Sequence, residues 1–194
     1  MKERAANFVS GISADLYELE YRQGAGGELE WQTRNGRRCL PKINAVYSSS
    51  ALVVNSFAPW KLHLPKLELC GSFGFRSLYF ETIVPTGLGG TPPHLDFLAE
   101  SVENNVVAVE SKLIEYLQPH RAEFSPAYDS RSWPSCIKAY VGIMRQLQEN
   151  PLRFVYLDAA QLVKHACGLA SLAGERHVNL LYLFWEPVKQ GLIP

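Results

Sequence analysis

Two short runs constrain this chain most: His94-Leu-Asp-Phe-Leu-Ala99 and Val106-Val-Ala-Val-Glu-Ser-Lys112, joined through the polar turn Glu103-Asn-Asn105. Val106, Val107 and Val109 give the second run its apolar residues. A third run, Leu78 to Val84, precedes them across the Gly/Pro loop Thr86 to Pro93. Short loops between β-rich runs favour an antiparallel meander. Strand side chains alternate between faces, so Glu110 and Lys112 project to one side while Val107, Val109 and Ser111 take the other. A hairpin would set Asp96 beside Glu110. Two carboxylates and an ammonium then gather at the end of the meander.

The flanks read as helical. Phe8, Ile12, Leu16 and Leu19 recur at helical spacing within Ala5 to Tyr21. A serine in Ser48 to Ser50 can cap a helix that Pro59 closes. A helix is expected over Ser135 to Glu149, and another from an Asp158 cap to about Leu172, stopped by Gly174. Asn179 to Trp185 reads as a continuous apolar strand, buried on both faces. Arg34 to Arg38 reads as a polar turn. The order is helices, three strands, helices, then a fourth strand. That order fits a single domain over 1–194, with 1–45 as an N-terminal helical and loop extension.

Composition narrows the function classes. The 194 residues are 47% hydrophobic and carry zero formal net charge, so any attraction to phosphate must be local. Cys39, Cys70, Cys136 and Cys167 are widely spaced, with no CxxC pair to suggest zinc. Free thiols in a reducing cytoplasm are expected. The Met1 end reads as carrying no secretory signal, and no apolar stretch is long enough to span a bilayer.

The acidic and basic groups near the meander's end suit hydrolysis of a phosphodiester. Paired carboxylates bind a hard divalent cation through oxygen. Such a cation polarises a phosphoryl oxygen and acidifies a water. The carboxylates would keep Lys112 protonated, which makes it an electrostatic and positioning group rather than a base. The plain alternative is a cross-strand charge cluster worth about 0.2–1 kcal/mol per pair.

Here the sequence resembles the PD-(D/E)xK nuclease superfamily, through Asp96 and Glu110-x-Lys112 in a strand-turn-strand context. It is most similar to the PGN_0703-like restriction-endonuclease family. The blocks Ser49-Ser-Ala-Leu-Val-Val-Asn-Ser-Phe-Ala-Pro59, Pro93-His-Leu-Asp96, Val109-Glu-Ser-Lys112, Tyr156-Leu-Asp-Ala-Ala-Gln-Leu-Val-Lys-His165 and Leu183-Phe-Trp-Glu-Pro187 carry that likeness. It implies an α/β restriction-endonuclease-like core, a mixed sheet of about four or five strands flanked by helices. It also implies a DNA endonuclease using Mg2+, with Mn2+ as a substitute. Asp96 and Glu110 would be metal ligands, the Ser111 carbonyl would complete the shell, and Lys112 would be the catalytic lysine. Two accessory site residues are expected: Glu81 as a further metal or water ligand, and Gln161 on the following helix. A homodimer is expected by analogy.

Several features favour plain readings. Glu115 is expected to face away from Glu110, at the surface. Lys164 and His165 are read as a helix surface and a satisfied histidine, and the tryptophans as core or interface. The basic cluster Arg34, Arg37, Arg38 and Lys42 is a solvated turn unless it meets phosphate. Thr86-Gly-Leu-Gly-Gly90 lacks the Gly-Lys-Ser/Thr ending of a phosphate loop. Ser135-Cys-Ile-Lys138 lacks the companion motifs of acyl-transferring serine enzymes. Two other functions compete: a binding module of the same fold that has lost turnover, and a metal hydrolase of small phosphoesters.

Overall fold

A computed structural model describes residues 28–185 together with Phe8 and Ile12. The helix expected over Ala5 to Tyr21 therefore lies outside the described residues, apart from Phe8 and Ile12. Those two side chains pack against the core.

The chain begins with a hairpin, β1 (Gln32–Arg34) and β2 (Arg37–Cys39), paired antiparallel. Its tip is Asn35-Gly36, both at positive φ (52° and 72°), as a two-residue type I′ turn requires. The polar turn expected here is present, but two short strands flank it. Helix α1 (Ser49–Phe57) follows, with the Ser48 hydroxyl accepting from the Ala51 amide at 3.1 Å. Pro59 falls in a 3-10 turn that ends α1.

The main sheet has four strands in the order β3 (Phe75–Ile83), β4 (His94–Ser101), β5 (Asn105–Lys112) and, last, β6 (His177–Phe184). Strands β3 to β5 form the expected antiparallel meander. Strand β6 joins β5 in parallel, so the sheet is mixed. The parallel crossover runs through α2 (Ala127–Ser130), α3 (Lys138–Glu149) and α4 (Ala159–Ala173). The Asp158 carboxylate caps α4, accepting from the Gln161 amide at 3.0 Å. The result is an α/β fold, a mixed four-stranded sheet flanked by helices.

Alternation decides which residues meet which helix. Phe97, Ala99, Val107 and Val109 lie in one core cluster with Val53, Val54 and Phe57 of α1, and Phe97 stacks on Phe57 at 4.1 Å. Leu98, Val106 and Ala108 pack in a second cluster with Leu169 of α4. Each fully buried large apolar side chain contributes roughly 1.5–3 kcal/mol. Helix α4 sits unusually close to the sheet side. A Cβ at Gly168 would stand 2.3 Å from the Val84 carbonyl oxygen, so glycine is required for this approach.

One expectation needs correction. Strand β6 is half-buried rather than enclosed, because among the described residues it lies at the edge of the sheet, paired with β5 alone. Leu181 and Leu183 reach one core cluster, and Val178 and Leu180 the other. Among the tryptophans, Trp133 packs near Tyr128, whereas Trp31, Trp60 and Trp185 are exposed.

Candidate active site

Asp96, Glu110 and Lys112 converge where β4 and β5 part. The last β4–β5 pair is Phe97 with Val109. One step further the ladder yields to a side chain: the Ser111 amide donates to Asp96 Oδ2 at 2.6 Å. Glu110 and Lys112 share a face, and Lys112 Nζ donates to Glu110 Oε1 at 2.6 Å. The Ser111 side chain points to the opposite face, where its hydroxyl donates to the Ser49 carbonyl at 2.9 Å. That bond anchors the first turn of α1 beside the end of β5.

These groups open into a cavity of about 800 Å³. Glu81 of β3 and Gln161 of α4 also line it, so the structure brings together Asp96, Glu110, Lys112, Glu81 and Gln161. Ser111 is fully buried with its side chain turned away. Glu81 has a φ of 48°, a strained conformation for a residue with a side chain, of the kind that clusters at functional sites. Its place in the register falls between the pairs Phe80–Phe97 and Thr82–Leu95, opposite Asp96.

Charge is unbalanced here. Burial, then repulsion from Glu110 and Glu81, holds the Asp96 carboxyl well above the ordinary carboxylate range, against the Ser111 amide and Lys112. Burial, reinforced by Glu28 and Glu110, pushes Glu81 up to about 7, with Lys42 pulling the other way. Burial works against the Lys112 ammonium, but Glu110 and Asp96 outweigh it and raise its pKa. Lys112 therefore stays cationic.

Three participants escaped the sequence reading. His165, read as a satisfied histidine, is instead at the site: it is 1% exposed, and its Nε2 lies 2.8 Å from Glu110 Oε2. The contact is close but not aligned as a hydrogen bond, so both atoms lack a bonded partner. The Tyr182 hydroxyl, on the residue paired with Glu110 across β5 and β6, is likewise buried without a partner. Burial raises its pKa, with the nearby Lys112 and Glu110 acting in opposite senses. Glu115 does not face away. It lines the same cavity and accepts from the Leu113 and Ile114 amides at 2.8 and 3.0 Å. Burial would raise its pKa, but amide hydrogen bonds and the Ser49 hydroxyl lower it. One signal was available for His165: with Gln161 and Gly168 it follows an i, i+4, i+7 pattern along one face of α4.

Among the described residues, no three or more His, Cys, Asp or Glu side chains are arranged to hold a metal ion by themselves. Among them too, no helix is long and apolar enough to cross a membrane. A family model described as "Restriction Endonuclease associating with ARP" matches residues 18–193. The chain belongs to this family. The restriction-endonuclease-like resemblance is thereby supported, and the match extends beyond the site to nearly the whole chain. It does not extend to the PGN_0703-like family. No curated protein and no solved structure matches the chain. In this restriction-endonuclease-like fold, the cavity where β4 and β5 part gathers Asp96, Glu110, Glu81 and Lys112.

Proposed function

We propose that the chain is a magnesium-dependent DNA endonuclease that hydrolyses phosphodiester bonds at the cavity beside Asp96, Glu110 and Lys112. One observation carries the reading: a cationic Lys112 is held at 2.6 Å on Glu110, beside an Asp96 fixed by the Ser111 amide, all facing one cavity. The family's description supports a nuclease.

The donor set fits a hard divalent cation in one respect. Glu110 Oε2 is a buried carboxylate oxygen whose near neighbour, His165 Nε2 at 2.8 Å, is out of hydrogen-bond line, an arrangement that costs stability unless a cation or an aligned donor meets it. Asp96 and Glu110 would hold the ion, with the Ser111 carbonyl as a third donor and Glu81 as a further metal or water ligand. An incomplete protein shell suits magnesium, which keeps several waters. When bound, the ion supplies Lewis acidity to a phosphoryl oxygen and a more acidic water.

The chain's own groups do the rest. Lys112 presents a positive charge to the oxygens that gain charge as the phosphodiester is attacked. Glu81, whose carboxyl burial pushes up to about 7, is placed to exchange a proton near neutral pH. Gln161 offers an amide to orient water or phosphate. His165 stands behind Glu110 and positions it.

The test is a cleavage assay with Mg2+ or Mn2+ on plasmid, duplex and single-stranded DNA. Asp96→Asn and Glu110→Gln are each expected to lower cutting by about 10²-fold or more while the fold persists, and undiminished cutting in both rejects the assignment. Binding without cutting favours an inactive module of the same fold. A second reading, hydrolysis of small phosphoesters, draws on the cavity's size, which falls within the range of small-molecule sites. A flat salt response of DNA affinity supports that reading, and a steep one supports DNA. A cytoplasmic setting, a homodimer and closer kinship to the PGN_0703-like family belong to the same proposal, resting on sequence blocks and analogy.

A further inference from the structure

The cavity is acidic within, but its mouth is not. Leu40 and Tyr47 line the opening, both about half exposed, and Val46 beside Tyr47 is 83% exposed. Trp31 extends the patch, because the register pairing Gln32 with Cys39 sets Trp31 across from Leu40 at the base of the hairpin. Exposed apolar side chains gathered beside a cavity are a common mark of a binding site.

Positive charge is interleaved with it. Arg38 is exposed on β2, on the face that Leu40 and Trp31 share, and sits over the Trp31 ring, 4.2 Å from its centroid. Stacking occupies the flat side of a guanidinium and leaves its N–H edge to meet phosphate. Lys42 lines the cavity and shares its charge with Glu28 at 3.5 Å. In a chain of zero net charge, this cationic stretch beside the cavity mouth sets where a polyanion approaches.

Aromatic platforms alternating with cations are the chemistry of unpaired nucleic-acid strands. Every base offers a π-face for stacking, and the backbone takes the cations. In a continuous duplex those faces are covered by neighbouring base pairs, and reaching one requires unstacking. We propose, resting on the nuclease reading above, that this rim engages DNA as an unpaired strand, with a base on Tyr47 and a phosphate on Arg38. The strand then runs from the hairpin to the cavity mouth, where Lys112 meets a phosphate.

The test measures binding by fluorescence anisotropy of the full chain in EDTA, so that nothing is cut. The probes are a labelled 12-nucleotide single strand and the duplex of the same sequence. The single strand is expected to bind more tightly. Tyr47→Ala is expected to weaken it about tenfold, the loss of one stacking platform, while Tyr47→Phe retains affinity. Arg38→Gln is expected to flatten the slope of log affinity against log salt by about 0.7. Equal or tighter duplex binding, or an unchanged affinity in Tyr47→Ala, overturns the proposal. Because Tyr47 is exposed, its variants test binding without disturbing the core. Glu110→Gln separates the two readings, since it is expected to bind the strand but not cut it with Mg2+. A wild-type chain that binds unpaired DNA yet never cuts sinks the nuclease reading and leaves the rim standing.

Discussion

Strand β4 carries two acidic residues on one face, and its two ends treat them differently. Asp96 and Glu100 are four residues apart, roughly 13 Å along the strand. Glu100 meets its complement: Arg176 pairs with it, and the Ser77 hydroxyl donates to it at 3.3 Å. Arg176 also donates to the Ala173 and Leu172 carbonyls at 3.0 Å each, closing the last turn of α4. Asp96 faces the opposite situation. It shares its end of the sheet with Glu110 and Glu81, against one ammonium. Four of the six buried side-chain atoms without a hydrogen-bond partner among the described residues belong to Glu110, His165 and Tyr182. One end of the sheet balances its charges; the other holds three carboxylates against one ammonium. A structural ion pair needs only its partner, whereas a site that acts on something else keeps charge in hand.

The sharpest way to break this contrast is to neutralise one acid at each end. Glu110→Gln is expected to lower the cleavage rate by about 10²-fold or more, the scale of removing a preorganised electrostatic group. The matched change Glu100→Gln is expected to leave the rate unchanged. Equal losses in a side-by-side rate measurement would erase the distinction.

The next effect is on stability. Glu81 has an ordinary carboxylate value of 4.5 when unfolded and about 7 when folded. Between those values the folded chain retains a proton that the unfolded chain has lost. Stability without metal therefore falls as pH rises from about 4.5 to about 7. Glu81→Gln is expected to remove that slope and to add up to about 3 kcal/mol at pH 8. Denaturant titrations at pH 5 and pH 8 in EDTA measure it. A wild-type stability that climbs over this interval contradicts the charge imbalance.

Gly168 tests how the unsatisfied end is assembled. Gly168→Ala drives a methyl into the Val84 carbonyl and is expected to cost about 1–3 kcal/mol, as overpacking does. It should also move His165 off Glu110 and reduce cleavage. Gly142, on α3, has open space around it, so Gly142→Ala is expected to stabilise by about 0.5–1 kcal/mol. Thermal unfolding of both variants gives opposite signs if helix approach is what matters. The smallest effect belongs to the satisfied end, where Glu100→Gln is expected to cost at most about 1 kcal/mol, because the pair is partly exposed.

The triad was legible because it needs only local rules. Glu110 and Lys112 share a face by alternation, and the short turn returns β5 beside Asp96. The caps at Ser48 and Asp158 were equally local. The hairpin at Asn35-Gly36 carried the strongest short turn signal in the chain, yet its strands are three residues each and polar, too short to show a period. Glu115 was misplaced because the strand stops at Lys112 and the chain turns into a 3-10 helix, so alternation no longer applies.

By itself the sequence determined an α/β chain with a meander and placed two acids and a lysine at its end. It did so because strand period and helix capping act over a few residues. Only tertiary packing decided that His165 and Tyr182 would stand against Glu110 and that Glu81 would face Asp96. Those residues come from separate elements, brought together by the close seat of α4 at Gly168 and by the pairing of β6 beside β5. Such proximity is a property of packing distances between elements, and no local pattern encodes it.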